Sequence, residues 1–243
     1  MADDKKKLRA ILRDCRDALS VERAAAMSLC IQREVIASAE YRGAGAVVLY
    51  ASKGNEVATD AIFADAIASG RAVFYPRIKT DPRDRSVRTI VAGRVRDRSD
   101  LQPDALGIIA PPESAERLDR QKFSSIVICV PGVAFGLEGQ RLGRGGGYYD
   151  RFLGQFGAEA IGVGLAYSFQ LLDRIPETEF DRRLNIIVTE SAVHRAGETP
   201  LPAREARTKE VHPGGSTHLN PGNHNWWRGL IFLGDNEPAQ GRR

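Results

Sequence analysis

The chain has 243 residues, 42% apolar and 27% charged, and a formal net charge of +4. That length holds one large domain or two small ones with a substantial core. The composition is an ordinary soluble, globular one, and a charge this mild suits an anionic small molecule as readily as a nucleic acid. No apolar run reaches bilayer-spanning length, and the opening MADDKKKLR lacks the apolar stretch of a secretory signal. The expectation is therefore a cytoplasmic protein with no membrane partner.

Leu8, Ile11, Leu12, Cys15 and Leu19 recur at helical spacing, and Lys5, Arg9 and Arg13 form a basic row at every fourth residue of the same helix. Ser20 is placed to cap a second helix carrying Met27, Ile31 and Val35. The run GAVVLYAS (45–52) reads as a buried strand, followed by the loop KGNEV, a helix capped by Thr59 and stopped at Gly70, and the strand RAVFYP (71–76). This β-α-β unit predicts two parallel strands. The Arg-, Asp- and Pro-rich region 79–98 reads as loops with one short strand near Ile90, and ALGIIAPP (105–112) as another short strand. FSSIVICVPG (123–132) is the strongest strand signal. After it come a glycine-rich stretch, the helical YYDRFLGQF, the strand AIGVGLAYS (160–168) and a last strand NIIVTE (185–190). The alternation predicts an α/β domain over 1–191 with a mostly parallel, buried sheet. From about Ala192 periodicity disappears, and composition predicts a disordered tail over 192–243 with one apolar island, WWRGLIFLG.

The three cysteines, Cys15, Cys30 and Cys129, form no CxxC pair and read as reduced core thiols. All four histidines lie after residue 193. Chemistry in the α/β domain therefore uses no His base, no Ser-His-Asp triad and no His-ligated zinc. It has to rely on Lys, Arg, Asp, Glu and backbone amides, with room for magnesium.

RLGRGGGYYDRFL (141–153) is the densest chemical signal. Glycines between a strand and a helix let backbone N–H groups close on phosphate oxygens. Arg141 and Arg144 could add charge-assisted hydrogen bonds. A Walker loop is excluded, because neither its Lys nor its hydroxyl is present, and Tyr148 breaks the dinucleotide GxGxxG spacing. On spacing alone, a phosphate cradle and a tight turn with surface arginines both remain open.

The longer string VPGVAFGLEGQRLGRGGGYYDRFL resembles the signature of the 5-formyltetrahydrofolate cyclo-ligases, also called methenyltetrahydrofolate synthetases. KKKLRAILRD, NEVATDAIFADAIASGRAVFYPRI and FDRRLNIIVTE are similar to further segments of that family, so the resemblance covers about 5–190. It implies a single three-layer α/β domain with an open, mostly parallel sheet flanked by helices. It also implies a ligase of folate and one-carbon metabolism that converts 5-formyltetrahydrofolate to 5,10-methenyltetrahydrofolate with ATP as co-substrate and Mg2+ as metal. The family's formyl oxygen attacks the γ-phosphate, N10 attacks the resulting imidate phosphate, and phosphate leaves. The resemblance places Lys5 and Arg9 at the nucleotide. Arg141, Gly143, Arg144, Gly145, Gly146, Gly147 and Tyr148 form the triphosphate loop, with Arg141 and Arg144 catalytic and Tyr148 also facing the folate. Glu56 contacts the pterin, Asp150 binds nucleotide and metal, and Asn185 is the second metal position. Tyr149 reads as core packing. Folate and ATP are expected to meet where the Glu56 loop and the glycine loop converge at the strand ends. The chain is expected to act as a monomer without a nucleic-acid partner.

This sequence departs from the family pattern in two places: Gly136 stands where relatives often carry Asp, and Asn185 where they often carry a second Asp after Asp181. Gly146 stands where some relatives have Lys and others Gly. The departures keep a second reading open, a folate- or nucleotide-binding homologue with impaired catalysis. A third reading, a basic nucleic-acid-binding module, has only a sequence pI near 9.1 and the Arg-rich 77–98 segment behind it and lacks aromatic interleaving.

Overall fold

The computed structural model describes residues 2–80, 88–104 and 107–198. The chain divides into two units, Met1–Glu198 and Thr199–Arg243. The second unit, including the expected disordered tail's WWRGLIFLG island, lies outside the described residues.

Helix α1 (Ala2–Asp17) is followed by α2 (Val21–Ala37), and the Ser20 side chain accepts the Arg23 N–H as the N-cap pattern requires. α2 buries Ala24, Ser28, Ile31, Gln32 and Val35 along one stripe. Its two buried polar residues are satisfied: Ser28 Oγ pairs with the Tyr167 hydroxyl at 3.1 Å, and Gln32 Oε1 accepts the Ala61 N–H at 2.7 Å. After the short α3 (Ala39–Gly43) comes β1 (Ala46–Val48), then α4 (Asp60–Ala68) and β2 (Ala72–Thr80), with β1 and β2 parallel. Thr59 stands at the N-cap position of α4 but does not cap with its side chain. Its hydroxyl donates instead to the Tyr50 carbonyl at 2.9 Å, joining the helix start to the strand before it.

The region read as mostly loop holds a seven-residue strand, β3 (Arg88–Arg94), antiparallel to an extended β2. Its charged composition concealed the alternation, in which Ile90 and Ala92 are buried. A small ribbon of β4 (Gln102–Pro103) and β5 (Ile109–Ala110) follows, then β6 (Ile126–Val130). β7 (Ala134–Gly136) and β8 (Arg141–Leu142) form a hairpin that leads into α5 (Tyr148–Leu153), followed by β9 (Ala160–Leu165), β10 (Leu171–Leu172) and β11 (Ile186–Val188). The chain does not end its sheet at NIIVTE. β12 (Val193–Arg195) turns back antiparallel on β11, so the folded unit continues past residue 191.

The main sheet has the order β12-β11-β9-β6-β1-β2-β3, parallel from β11 to β2 and closed by an antiparallel strand at each edge. Register aligns Ala46, Ala72 and Ile126 in one row and Val48, Phe74 and Ile128 in the next. These rows pack with Phe135 and with Phe152 of α5 on one face. The alternating Val47, Val73, Val127 and Cys129, also buried, point to the opposite face, where α4 packs on β2 and α2 on α4. Helices on both faces explain why these strands are apolar throughout. β7, β8 and β10 make a separate three-stranded sheet. From the central β1 the chain moves to β2 on one side, and later returns to β6 on the other. Strand order therefore reverses between β1 and β6, the place where open α/β sheets form a ligand crevice.

Candidate active site

The candidate site residues sit mainly on two loops, one after β1 and one after the β7–β8 hairpin that follows β6. In the first, the Glu56 N–H donates to the Lys53 carbonyl, and the Lys53 N–H donates to Glu56 Oε2 at 3.0 Å. This turn fixes the carboxylate. Asn55 Nδ2 donates to the Arg16 and Leu19 carbonyls at 3.1 and 2.8 Å, tying the loop to the end of α1. Behind the loop the Tyr50 hydroxyl donates to the Val57 carbonyl at 2.7 Å, and burial pushes its pKa well up, so it acts as a neutral strut.

In the second loop each glycine has a local reason. Gly145 (φ 108°) and Gly147 (φ 61°) are left-handed. A Cβ on Gly143 would stand 2.5 Å from the Arg141 guanidinium, and one on Gly146 2.5 Å from the Tyr148 ring. Arg151 holds that ring from above, its guanidinium 5.1 Å from the centroid. Arg141 comes off the β7–β8 hairpin with its side chain 4% exposed, and its Nη2 donates to both oxygens of Asp150 at 3.0 Å. The same guanidinium lies over the Tyr149 ring. Tyr149 meets Phe152 edge-on, and burial raises its hydroxyl pKa, in keeping with a packing role.

Two further segments brace the loop. Arg9 of α1 donates from Nε to the Gly143 carbonyl at 2.9 Å. Lys5 pairs with Asp181 at 3.1 Å, and the next residue, Arg182, donates its N–H to Asp150 Oδ1. Burial opposes ionisation of Asp181, but the Thr178 N–H and the Lys5 ammonium more than compensate and hold its pKa down. The two loops then meet. Arg144 Nη2 reaches Glu56 Oε1 at 2.6 Å, joining residues 88 positions apart across the β1–β6 switch.

The structure thus brings together Lys5, Arg9, Glu56, Arg141, the 143–147 loop, Arg144, Tyr148 and Asp150. Asn185 stands at the start of β11, its Oδ1 accepting the Gly162 N–H at 2.8 Å and its own N–H donating to the Gly162 carbonyl. Its amide oxygen is thus already engaged in strand pairing. Gly136 has a packing explanation: the buried Gln140 side chain occupies the space that a side chain at 136 would need.

Beside Glu56 opens a cleft of about 510 Å³ lined by Arg13, Arg16, Asp17, Lys53, Asn55 and Arg144. Sequence reasoning gave none of Arg16, Lys53 and Asn55 a role. Arg16 did carry a signal, since it lies four residues after Leu12 inside the apolar stripe of α1, where an arginine is out of place.

Comparison with known proteins bears on the family and the fold. The family model described as the 5-formyltetrahydrofolate cyclo-ligase family matches residues 1–190. A 5-formyltetrahydrofolate cyclo-ligase from Mus musculus is 28% identical over 193 residues, covering 77% of this chain and 94% of that protein. Among solved structures, a 5,10-methenyltetrahydrofolate synthetase from Aquifex aeolicus superposes with a TM-score of 0.68 at 30% identity, covering 84% of this chain and 99% of the other. One from Mycoplasma pneumoniae shares the fold at 24% identity and a TM-score of 0.60, covering 77% of this chain and 99% of the other. Among the described residues no helix is long and apolar enough to cross a membrane.

Proposed function

The chain belongs to the 5-formyltetrahydrofolate cyclo-ligase family and is a ligase; from that premise we propose that it uses ATP to close 5-formyltetrahydrofolate to 5,10-methenyltetrahydrofolate. The observation that carries this reading is the Arg144–Glu56 contact, which puts a phosphate-type loop and a candidate pterin carboxylate side by side at the switch point. The formyl oxygen attacks the γ-phosphorus and the bond to ADP breaks. N10 then attacks the imidate carbon and loses its proton, the C–O bond breaks, and inorganic phosphate leaves as the ring closes.

Phosphoryl transfer asks for positioning and charge neutralisation more than proton shuttling, which suits a stretch without imidazole up to residue 193. Arg144 and the loop N–H groups bind the transferring phosphoryl group, Arg9 and Lys5 the rest of the triphosphate, and Tyr148 lines the folate side. Glu56 accepts the paired N–H donors of the pterin. Arg141 holds Asp150 in place. Magnesium is commonly held by one or two carboxylates plus substrate phosphates, and Asp150, 14% exposed and with acceptor capacity left on Oδ2, fits that modest demand. Among the described residues no group of three or more His, Cys, Asp or Glu could hold a metal without the phosphates. Asp150 would hold the ion, which would offset phosphate charge; the Asn185 amide oxygen, already accepting the Gly162 N–H, has only its second lone pair left to offer it.

The test mixes purified protein with 5-formyltetrahydrofolate, ATP and magnesium and follows the near-ultraviolet absorbance of the methenyl product. The expected result is ATP-dependent product that is lost in Arg144→Ala. A binding-only protein, the reading favoured by the engaged amide of Asn185, would bind folate in calorimetry and form no product.

A further inference from the structure

Glu56 has two cationic neighbours of opposite character. Arg144 is 57% exposed and sits between glycines on a loop with left-handed turns at Gly145 and Gly147. Arg16 is 9% exposed, lies on the last turn of α1, and has its backbone carbonyl held by Asn55, the residue just before Glu56. Its Nη1 stands 3.6 Å from Glu56 Oε1, and Glu56 is itself only 9% exposed. Asp17 also lies 3.6 Å from the Arg16 Nε, but that Nε makes no hydrogen bond.

A buried arginine with an unsatisfied Nε is a poor device for stability alone. Burying the charge costs more than a loose pair returns, and an apolar side chain of similar volume would pack as well. What the position supplies is a fixed positive charge behind a carboxylate whose other oxygen is already held by the Lys53 N–H. We propose that Arg16 is a positioning residue for the folate site. It keeps the Glu56 carboxylate fixed beside the cleft, so that incoming pterin N–H donors displace only Arg144. Arg144, once displaced, is free to turn to the nucleotide. The two arginines thus divide the work between a permanent partner and an exchangeable one. This inference rests on the reading of Glu56 as the folate carboxylate.

The experiment is steady-state kinetics on the full chain, varying folate at saturating ATP and ATP at saturating folate, with a thermal midpoint for each variant. Arg16→Leu is expected to raise the folate KM about tenfold, to leave the ATP KM within about twofold, and to keep the wild-type midpoint. Arg16→Lys, which keeps the charge and perturbs packing less, is expected to recover most of the folate KM. In a Glu56→Gln background Arg16→Leu is expected to add little, because the charge it supports is gone. A folate KM unmoved by Arg16→Leu but raised by Glu56→Gln overturns the role of Arg16 alone. A parallel rise of both KM values with a fallen midpoint in both Arg16 variants overturns it too, in favour of a structural arginine. A folate KM unmoved by Glu56→Gln overturns the underlying reading of the carboxylate and this inference with it.

Discussion

Replacing Arg141 with methionine tests whether this arginine builds the site before it serves it. The guanidinium and the Asp150 carboxylate are 4% and 14% exposed and meet at 3.0 Å through both oxygens. Removing one member of a buried pair costs about 3–5 kcal/mol, because the other charge is left without compensation. Asp150 would keep the Arg182 N–H at 3.2 Å, and the Arg141 Nε is unsatisfied already, so the lower end, about 3 kcal/mol, is expected. For a folded unit of this size that is about 6–12 °C in thermal midpoint. Asp150→Leu should cost as much or more, since Arg141 would keep only a 3.5 Å contact to the Pro131 carbonyl and its place over the Tyr149 ring. The double variant Arg141→Met, Asp150→Leu should cost less than the two singles summed, because both charges leave together. Calorimetry and urea denaturation of the full chain read these values. A single-variant cost below about 1 kcal/mol, or full additivity in the double variant, would refute the buried-pair argument and return Arg141 to a purely ligand-binding role.

Gly139→Ala is expected to destabilise the protein by about 2–4 kcal/mol in urea melts. Its φ is 87°, and a Cβ there would run into the Leu184 carbonyl oxygen. Gly136→Asp, although it restores the commoner family residue, should lower stability by about 1–3 kcal/mol unless Gln140 is shortened at the same time; a neutral single variant in the same melts would show that Gln140 moves aside freely. Burial raises the thiol of Cys129 from an ordinary 9.0 to about 12 and the hydroxyl of Tyr75 from 10.0 to about 12. Both groups lose their protons more readily when unfolded, so their contribution to stability should be constant below pH 9 and fall between about 9 and 12, by up to about 1.4 kcal/mol per pH unit and group. A denaturation series across that range reads the slope. At pH 8 a thiol reagent should label exposed Cys30 and leave Cys129 intact until the chain unfolds.

The strand-helix alternation was legible wherever one physical signal dominated. IVICV is buried on both faces and could only be a central strand, and Ser20 and the glycines after β6 carry their conformational reasons in their side chains or in the lack of one. The convergence of Glu56 with the glycine loop followed from the family pattern and from the general rule for open sheets. What stayed hidden were features that depend on distant partners. β3 was masked by the charges around Ile90, and β12 is a three-residue strand whose stability comes from pairing with β11 rather than from its own sequence. The β7–β8 hairpin turns on Gly139, which needs Leu184 across from it before its strictness shows. Arg16 is the instructive case, because the sequence displayed the anomaly, an arginine in an apolar stripe, without the carboxylate that accounts for it.

The cations proposed to meet the nucleotide already have protein partners, so ligand binding here is an exchange of contacts or a sharing of donors. Arg9 spends its Nε on the Gly143 carbonyl, Arg141 its Nη2 on Asp150, and Arg144 its Nη2 on Glu56. A guanidinium has five N–H donors in a fixed plane. Arg9 can therefore brace the loop with one nitrogen and offer the others to phosphate without releasing it. An ammonium carries its three donors on one atom without the fixed planar fork, so Lys5 would have to share the nitrogen that pairs with Asp181. The use of arginine at positions 9, 141 and 144 then follows from the glycines themselves. A loop freed by glycine to approach a ligand closely must be held by its neighbours, and here the residues that hold it are those that would also bind what it encloses.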